Sequence, residues 1–256
     1  DLVEFYRRSL NVLNRAHIPF LVGGAYAFAQ YTGIVRHTKD FDIFVLPADA
    51  GRALDALAAE GYHTELTFPH WLGKAFHGEG FIDLIFSSGN GIAEVDEDWF
   101  ENAVEDVVLD IPVRLVPAEE MIWSKAWVME RERYDGADVA HILRARAETL
   151  DWRRLTQRFG PYWRVLLSHL VLFGFAYPGE RGRIPGWVME DMLRRLQDET
   201  SRPAAEGHLC QGTLLSRAQY LIDIDEWGYE DARLRPRGAM DDDDIDHWTA
   251  AIEENP

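Results

Sequence analysis

Two aspartates, Asp40 and Asp42, alternate with apolar residues in the segment from Asp40 to Val45. Residues two apart in a β-strand point to the same face, so a strand here projects both carboxylates together. Two carboxylates that close repel each other, and a divalent cation between them removes the repulsion. Magnesium takes carboxylate oxygens together with phosphate oxygens and water, so the pair indicates metal-assisted phosphoryl transfer.

An isolated Asp-x-Asp is more often a solvated loop in an acidic chain, but the sequence before the pair favours a metal site. A short apolar strand, residues 18–22, ends on Gly23 and Gly24 and leads into a helix. Glycines at such a turn let the backbone amides of a helix N-terminus approach a phosphate closely. Polar side chains that could meet a triphosphate follow before the acids: Arg36, Thr38 and Lys39.

A third acid, Asp83, lies in the otherwise apolar segment from Phe81 to Phe86. A lone carboxylate in a buried strand is costly unless it is paired or bound to a metal. Asp83 is therefore predicted to be either a third metal ligand or the base that activates an attacking hydroxyl.

The elements around these residues predict an α+β fold, with a mixed sheet flanked by helices and followed by a mostly helical C-terminal region. Before Pro117, short strands alternate with helices; after it, apolar residues recur at helical spacing. Residues 1–116 are predicted to form the catalytic domain and residues 117–256 a mostly helical domain. Helices are expected at 118–130, 135–147, 152–158, 163–175 and 185–197.

The stretches 21–27 and 36–45 resemble the polymerase-β-like nucleotidyltransferase superfamily. They look closest to its small bacterial branch, with Gly-Gly followed by Arg-x-Thr-x-Asp-hydrophobic-Asp, which includes abortive-infection toxins and minimal nucleotidyltransferases. The resemblance implies that Gly23 and Gly24 hold nucleoside triphosphate phosphates. It also implies a triad that binds Mg²⁺ or Mn²⁺, made of Asp40, Asp42 and Asp83.

A weaker resemblance continues into the helical region. In the same branch, a lysine on one helix and an acid that opens the next approach the nucleotide. The matching positions are Lys125 and either Asp135 or Asp138. Lys125 is predicted to be catalytic because its flanks are apolar, which gives its ammonium reason to point into a cleft. Asp135 is predicted to bind nucleotide, and a helix N-cap is an equal alternative.

Charge and composition limit the partners. The chain has 26 basic and 44 acidic residues, a net charge of −18, which disfavours extended nucleic-acid binding. The single Cys210 excludes an internal disulfide, no histidine pair has zinc-site spacing, and no apolar run is long enough to span a bilayer. We therefore expect a cytoplasmic protein without membrane partners. Positive charge concentrates in the helical region: Arg144, Arg146, Arg153, Arg154, Arg158 and Arg164.

These features predict an enzyme that moves a nucleoside monophosphate from a nucleoside triphosphate to an acceptor hydroxyl and releases pyrophosphate. The acceptor stays open between a small molecule such as an aminoglycoside, which suits an acidic cleft, and RNA or protein in a toxin-like role. A toxin would have an antitoxin-like partner protein. The alternative function is an inactive nucleotide- or partner-binding protein that keeps the fold.

Overall fold

The computed structural model describes residues 2–38, 40–234 and 240–252, so the predicted nucleotide contact at Lys39 lies outside the described residues. The described chain forms two compact units. The first runs to Pro117 and includes the C-terminal helix, and the second begins at Ala118 and contains the described residues up to Leu234.

The first unit alternates helices with strands. Its strands are β1 (Leu21–Val22), β2 (Asp40–Phe44), β3 (His63–Phe68), β4 (Leu72–His77), β5 (Gly80–Ile85), β6 (Val104–Val108) and β7 (Ile111–Leu115). Its helices before Pro117 are α1 (Leu2–Arg15), α2 (Gly24–Thr32), α3 (Ala50–Ala59) and α4 (Glu97–Glu101).

The seven strands of this unit form one mixed sheet in the order β3-β4-β5-β2-β1-β7-β6. β2 pairs in parallel with β5 and antiparallel with β1, and β1 pairs in parallel with β7. The remaining neighbours are antiparallel hairpin partners. This arrangement places β2 and β5, the two strands that carry the acids, side by side in the middle of the sheet. The predicted mixed sheet flanked by helices is confirmed.

Alternation along β2 separates a buried face from a polar one. Phe41 and Ile43 are fully buried, while Asp40 and Asp42 are only partly buried. On the buried face, the ring of Tyr6 from α1 stacks on Phe41 at 4.9 Å. The apolar side of α1 therefore packs against the sheet, and the two aspartates project from the opposite side of β2.

The second unit is mostly helical, as the sequence predicts. Its helices are α5 (Ala118–Lys125), α6 (Gly136–Arg146), α7 (Trp152–Phe159), α8 (Trp163–Ala176), α9 (Gly186–Thr200) and α10 (Leu221–Asp225). Two short strands pair in parallel, β8 (Leu209–Cys210) and β9 (Glu230–Asp231). In the part of the chain that the structure describes, no helix is long and apolar enough to cross a membrane.

The predicted helix 118–130 is too long, since α5 ends at Lys125. The chain then forms a loop closed by an isolated bridge between Met129 and Tyr134. Glu130 anchors this loop, because its carboxylate accepts hydrogen bonds from the hydroxyl of Ser216 (2.8 Å) and the backbone N–H of Arg217 (3.3 Å). Tertiary hydrogen bonds here override the helical propensity of the segment.

The C-terminal helix α11 (Asp242–Ala250) belongs to the first unit, which differs from the predicted grouping of residues 117–256. Trp248 packs edge-on against Phe68 at 4.9 Å and Trp71 at 5.1 Å, and fills the space beside Gly89 where a Cβ would lie. Helical periodicity shows that a helix forms, but it does not show which surface the helix covers. At the start of α11, Asp241 and Asp244 form a capping box.

Candidate active site

Three carboxylates meet where β2 and β5 run side by side. The register pairs Asp42 directly with Asp83, and Asp40 lies two residues before Asp42 on the same face. One carboxylate oxygen from each of the three residues lies within 4.8 Å of the others. Each of the three residues is half-buried.

The chemistry of this cluster fits a hard divalent cation. The donors are all carboxylate oxygens, which suit Mg²⁺ or Mn²⁺ and not a soft thiolate-binding metal. Three acids this close repel one another strongly without a positive partner. The three residues predicted as metal ligands, Asp40, Asp42 and Asp83, are thus brought together as one oxygen-rich site.

The glycine turn lies against the same cluster. The backbone N–H of Gly23 donates to the carbonyl of Asp42 at 3.0 Å, which fixes the end of β1 beside β2. Gly24 has a φ of +53°, and a Cβ at this position would overlap the carboxylate of Asp42. Glycine is therefore required at position 24 for two reasons: the backbone is left-handed, and the carboxylate of Asp42 leaves no space for a Cβ.

Helix α2 begins at this turn with its N-terminus beside Asp42. Gly23 is the N-cap, no side chain caps the helix, and its first turn carries no acidic residue. The first N–H groups of a helix lack intrahelical partners and carry partial positive charge. The turn therefore combines an acid with backbone donors, the arrangement needed to hold a metal and a phosphate at neighbouring points.

Gly24→Ala is expected to destabilise the protein and to displace Asp42. The left-handed conformation alone costs about 1–2 kcal/mol for a residue with a Cβ, and the overlap with the carboxylate adds to that cost. Gly33→Ala is the matched control, because Gly33 ends the same helix at a φ of +74° and, beyond its own helix and chain neighbours, no atom of the described residues lies within 4 Å of the added Cβ. Urea unfolding measures both variants, and equal losses of stability would contradict the close contact at Gly24.

Thr38 and Arg36, two of the predicted nucleotide contacts, have partners within the first unit. The hydroxyl of Thr38 donates to the carboxylate of Asp40 and lies 3.0 Å from the carbonyl oxygen of the same residue. Thr38 thus orients one of the acids. The guanidinium of Arg36 lies over the ring of Phe28 at 4.5 Å, on the first helix after the glycines. Contact of either residue with a nucleotide stays a prediction.

Two tyrosines, Tyr6 and Tyr26, pack on Phe41, the residue between Asp40 and Asp42 on β2. Tyr6 is 1% exposed, and Tyr26 packs edge-on against Phe41 at 4.8 Å. Burial raises the pKa of Tyr6 to about 12, and the charges of Tyr26 and the three acids add to the rise. Burial also raises the pKa of Tyr26. Both hydroxyls therefore stay protonated at neutral pH.

The residue that sequence reasoning missed is Lys74 on β4. It is the cross-strand partner of Asp83, and its Nζ lies 2.5 Å from Asp83 Oδ1. The sequence did contain one signal for this residue: a lysine at a half-buried strand position needs a partner for its charge. Its pairing with Asp83 depends on the β4–β5 register, which the sequence alone does not give.

The chain resembles known antibiotic-modifying enzymes in structure only distantly. No family model matches it, and no curated protein matches its sequence. A solution structure of the antibiotic-resistance factor ANT(2'')-Ia matches with a TM-score of 0.47 at 18% identity, over 65% of this chain and 95% of that one. A structure of ANT(2'')-Ia with adenylyl-2''-tobramycin matches with a TM-score of 0.39 at 16% identity, over 68% of this chain and 98% of that one.

The lincosamide antibiotic adenylyltransferase LnuA with bound lincomycin matches with a TM-score of 0.40 at 15% identity, over 54% of this chain and 94% of that one. At these identities and TM-scores the likenesses carry no conclusion about activity or substrate. The function proposed below therefore depends on the acid cluster and the glycine turn.

The remaining predicted site residues lie in the second unit and form an ion-pair cluster. Lys125 Nζ is 2.8 Å from Asp138 Oδ2 and 3.4 Å from Asp135 Oδ2. Arg133 donates to both carboxylate oxygens of Asp135 at 3.0 Å. Asp135 occupies the N-cap position of α6, but its side chain makes no capping hydrogen bond. The catalytic role of Lys125 and the nucleotide contact of Asp135 stay predictions.

Proposed function

We propose that the chain is a metal-dependent nucleotidyltransferase that moves a nucleoside monophosphate from a nucleoside triphosphate to an acceptor hydroxyl. The observation that carries this proposal is the convergence of Asp40, Asp42 and Asp83 within 4.8 Å beside the glycine turn. A cluster of three acids is unfavourable by itself, and it becomes useful when it holds the cation that accompanies a triphosphate.

Each part of the site then has a task. Asp40, Asp42 and Asp83 hold Mg²⁺ or Mn²⁺, which when bound offsets the negative charge of the phosphates during transfer. The backbone N–H groups that follow Gly23 at the start of α2 donate hydrogen bonds to phosphate oxygens. Thr38 keeps the carboxylate of Asp40 in place. Phosphoryl transfer depends mainly on such positioning and charge neutralisation, and less on covalent chemistry by the protein.

The charges of the second unit support a choice of acceptor class. Four of the arginines that could have formed a basic surface for RNA are paired with acids. The pairs are Arg144–Glu180 at 3.3 Å, Arg154–Glu120 at 2.5 Å, Arg158–Glu120 at 3.0 Å and Arg164–Glu199 at 2.6 Å. In the part of the chain that the structure describes, these pairs offset much of the positive charge of the four arginines, which weakens the case for a basic surface that binds RNA.

A chain with a net charge of −18 and paired arginines suits a positively charged acceptor better than a polyanion. We therefore propose a small cationic molecule with free hydroxyls, of the aminoglycoside type, as the acceptor class. A cation is attracted to an acidic protein at long range, and its hydroxyl is the nucleophile that the reaction requires.

The test is transfer of radiolabelled nucleotide from α-labelled triphosphates, with Mg²⁺, to a panel of aminoglycosides and to transfer RNA. We expect label on a small cationic acceptor and none with Asp40→Ala. Label on RNA would contradict the proposed acceptor class, but it would still support nucleotidyl transfer as the reaction. Metal-dependent triphosphate binding that survives both Asp40→Ala and Asp42→Ala would contradict the site. Binding without any turnover would identify the inactive member of the fold.

A further inference from the structure

A row of charged residues crosses the sheet through the proposed metal site. Residues paired directly across neighbouring strands lie on the same face. The register pairs Glu65 with Lys74 across β3 and β4, Lys74 with Asp83 across β4 and β5, and Asp83 with Asp42 across β5 and β2. Lys74 therefore lies next to the acid cluster, on its face of the sheet.

The ammonium of Lys74 is held from two directions. Its Nζ lies 2.5 Å from Asp83 Oδ1 and 4.3 Å from the centre of the Phe81 ring. The side chains of Lys74 and Asp83 are 21% and 15% exposed. Both partners belong to β5, and the low exposure strengthens the electrostatic attraction compared with a surface pair. The lysine thus brings a fixed positive charge to the edge of the cluster.

We propose that Lys74 is a built-in counter-cation that makes metal binding depend on the nucleotide. This inference rests on the proposed function and concerns the regulation of the same site. Without nucleotide, the ammonium offsets part of the negative charge of the three acids and weakens their attraction for a free divalent cation. When a triphosphate enters, its negative charge restores that attraction, and Lys74 gains a second anionic partner.

Two opposing effects of Lys74 on the metal must be compared. By holding Asp83 in place it favours metal binding, but its positive charge repels a cation bound to the same carboxylate. The repulsion acts on a doubly charged ion a few ångströms away, and even at the dielectric constant of water it is worth about tenfold in affinity. Ordering one short carboxylate side chain is worth less than that. The repulsion therefore dominates.

The experiment measures Mn²⁺ and triphosphate binding separately by calorimetry, with electron paramagnetic resonance as a second reading of free Mn²⁺. Lys74→Met keeps an unbranched chain over Phe81 but removes the charge. It is expected to bind free Mn²⁺ about tenfold more tightly than the wild type, and the triphosphate, with metal present, about tenfold more weakly. A role in folding alone would not change the two affinities in opposite directions.

Two variants complete the design. Lys74→Arg keeps the charge and should restore both affinities to within a few-fold of the wild type. Arg52→Met removes the same charge from α3, where Arg52 is paired with Asp49, and should change neither affinity. Unchanged or weaker Mn²⁺ binding by a folded Lys74→Met protein would overturn this inference alone. A wild type that binds neither Mn²⁺ nor triphosphate would overturn the proposed function as well.

Discussion

Asp42→Asn is expected to lower the rate of nucleotide transfer about a thousandfold or more. The metal contributes several kcal/mol of charge stabilisation to phosphoryl transfer, and each 1.36 kcal/mol is about a tenfold change in rate. Asp42 lies at the centre of the site, since it pairs with Asp83 across the strands and contacts the Gly24 turn. Asparagine has the same shape, so the loss reports the missing charge. Steady-state transfer assays with labelled triphosphate measure it.

The same substitution should leave the metal-free protein at least as stable as the wild type. It removes one of three mutually repelling carboxylates, and sites built for function commonly cost stability in this way. The midpoint of thermal unfolding should rise with added Mg²⁺ in the wild type and much less in the variant, because a bound ion stabilises only the folded state. Opposite effects on activity and stability distinguish a metal site from a structural acid cluster.

The control is Asp55→Asn, which removes the same charge from an exposed position on α3 in the same unit. It should change neither the rate nor the response to Mg²⁺. If Asp42→Asn retained most of the wild-type rate, or if Mg²⁺ stabilised it as much as the wild type, the three carboxylates would not be the metal site.

The acid pair on β2 could be predicted because the residues that identify it are neighbours in the sequence. Alternation of Asp40 and Asp42 with buried Phe41 and Ile43 specifies both a strand and the face that carries the acids. The lone acid of β5 and the glycines before α2 are local signals of the same kind. The α+β class follows from the change in periodicity near Pro117, where the two compact units also divide.

What the sequence could not supply is the order of strands and the partners of charged side chains. Lys74 is nine residues from Asp83 along the chain, and only the hairpin register brings them together. The packing of α11 against Phe68 and Trp71 depends on a turn and a helix that are far apart in the chain. Such long-range pairings leave no periodic pattern that a single sequence could reveal.

The arginines of the helical region show that a count of charged residues does not predict their partners. Their number suggested positive charge that could meet RNA, but two of them, Arg154 and Arg158, converge on Glu120. Glu120 is fully buried, and Arg154 also contacts Glu119 at 2.7 Å. The acids lie in the first turn of α5 and the arginines on α7, so this network joins two helices. The ion-pair network is therefore expected to contribute to the stability of the folded protein.

Arg154→Met is expected to destabilise the protein by about 3 kcal/mol at pH 7. Arg154 Nη1 lies 2.6 and 2.5 Å from the two carboxylate oxygens of Glu120. When Arg154 is lost, Glu120 keeps only its contact with Arg158. Removing one member of a buried ion-pair network leaves the Glu120 carboxylate with a single arginine in a site that water does not reach, so its charge is only partly compensated. Arg153→Met, an exposed position on the same helix, should cost less than about 0.5 kcal/mol.

The loss should shrink as the pH falls, and this sign identifies Glu120 as its source. Burial raises the pKa of the Glu120 carboxyl, and the two arginines oppose that rise. In Arg154→Met one opposing charge is gone, so the pKa in the folded state rises further above its value in the unfolded chain. A raised carboxyl pKa favours the folded state at pH values below the unfolded pKa, and the benefit is lost as the pH rises through the folded value.

Unfolding by urea at pH 4.5 and pH 7 measures this difference for the variant and the wild type. The double variant Glu120→Gln with Arg154→Met should be more stable than Arg154→Met alone at pH 7, because it leaves no unpaired buried carboxylate. A loss of stability that is equal at both pH values, or a double variant as unstable as the sum of its single changes, would show that Arg154 acts through packing. In that case the arginines would stabilise the second unit by their hydrocarbon stems and not by their charge.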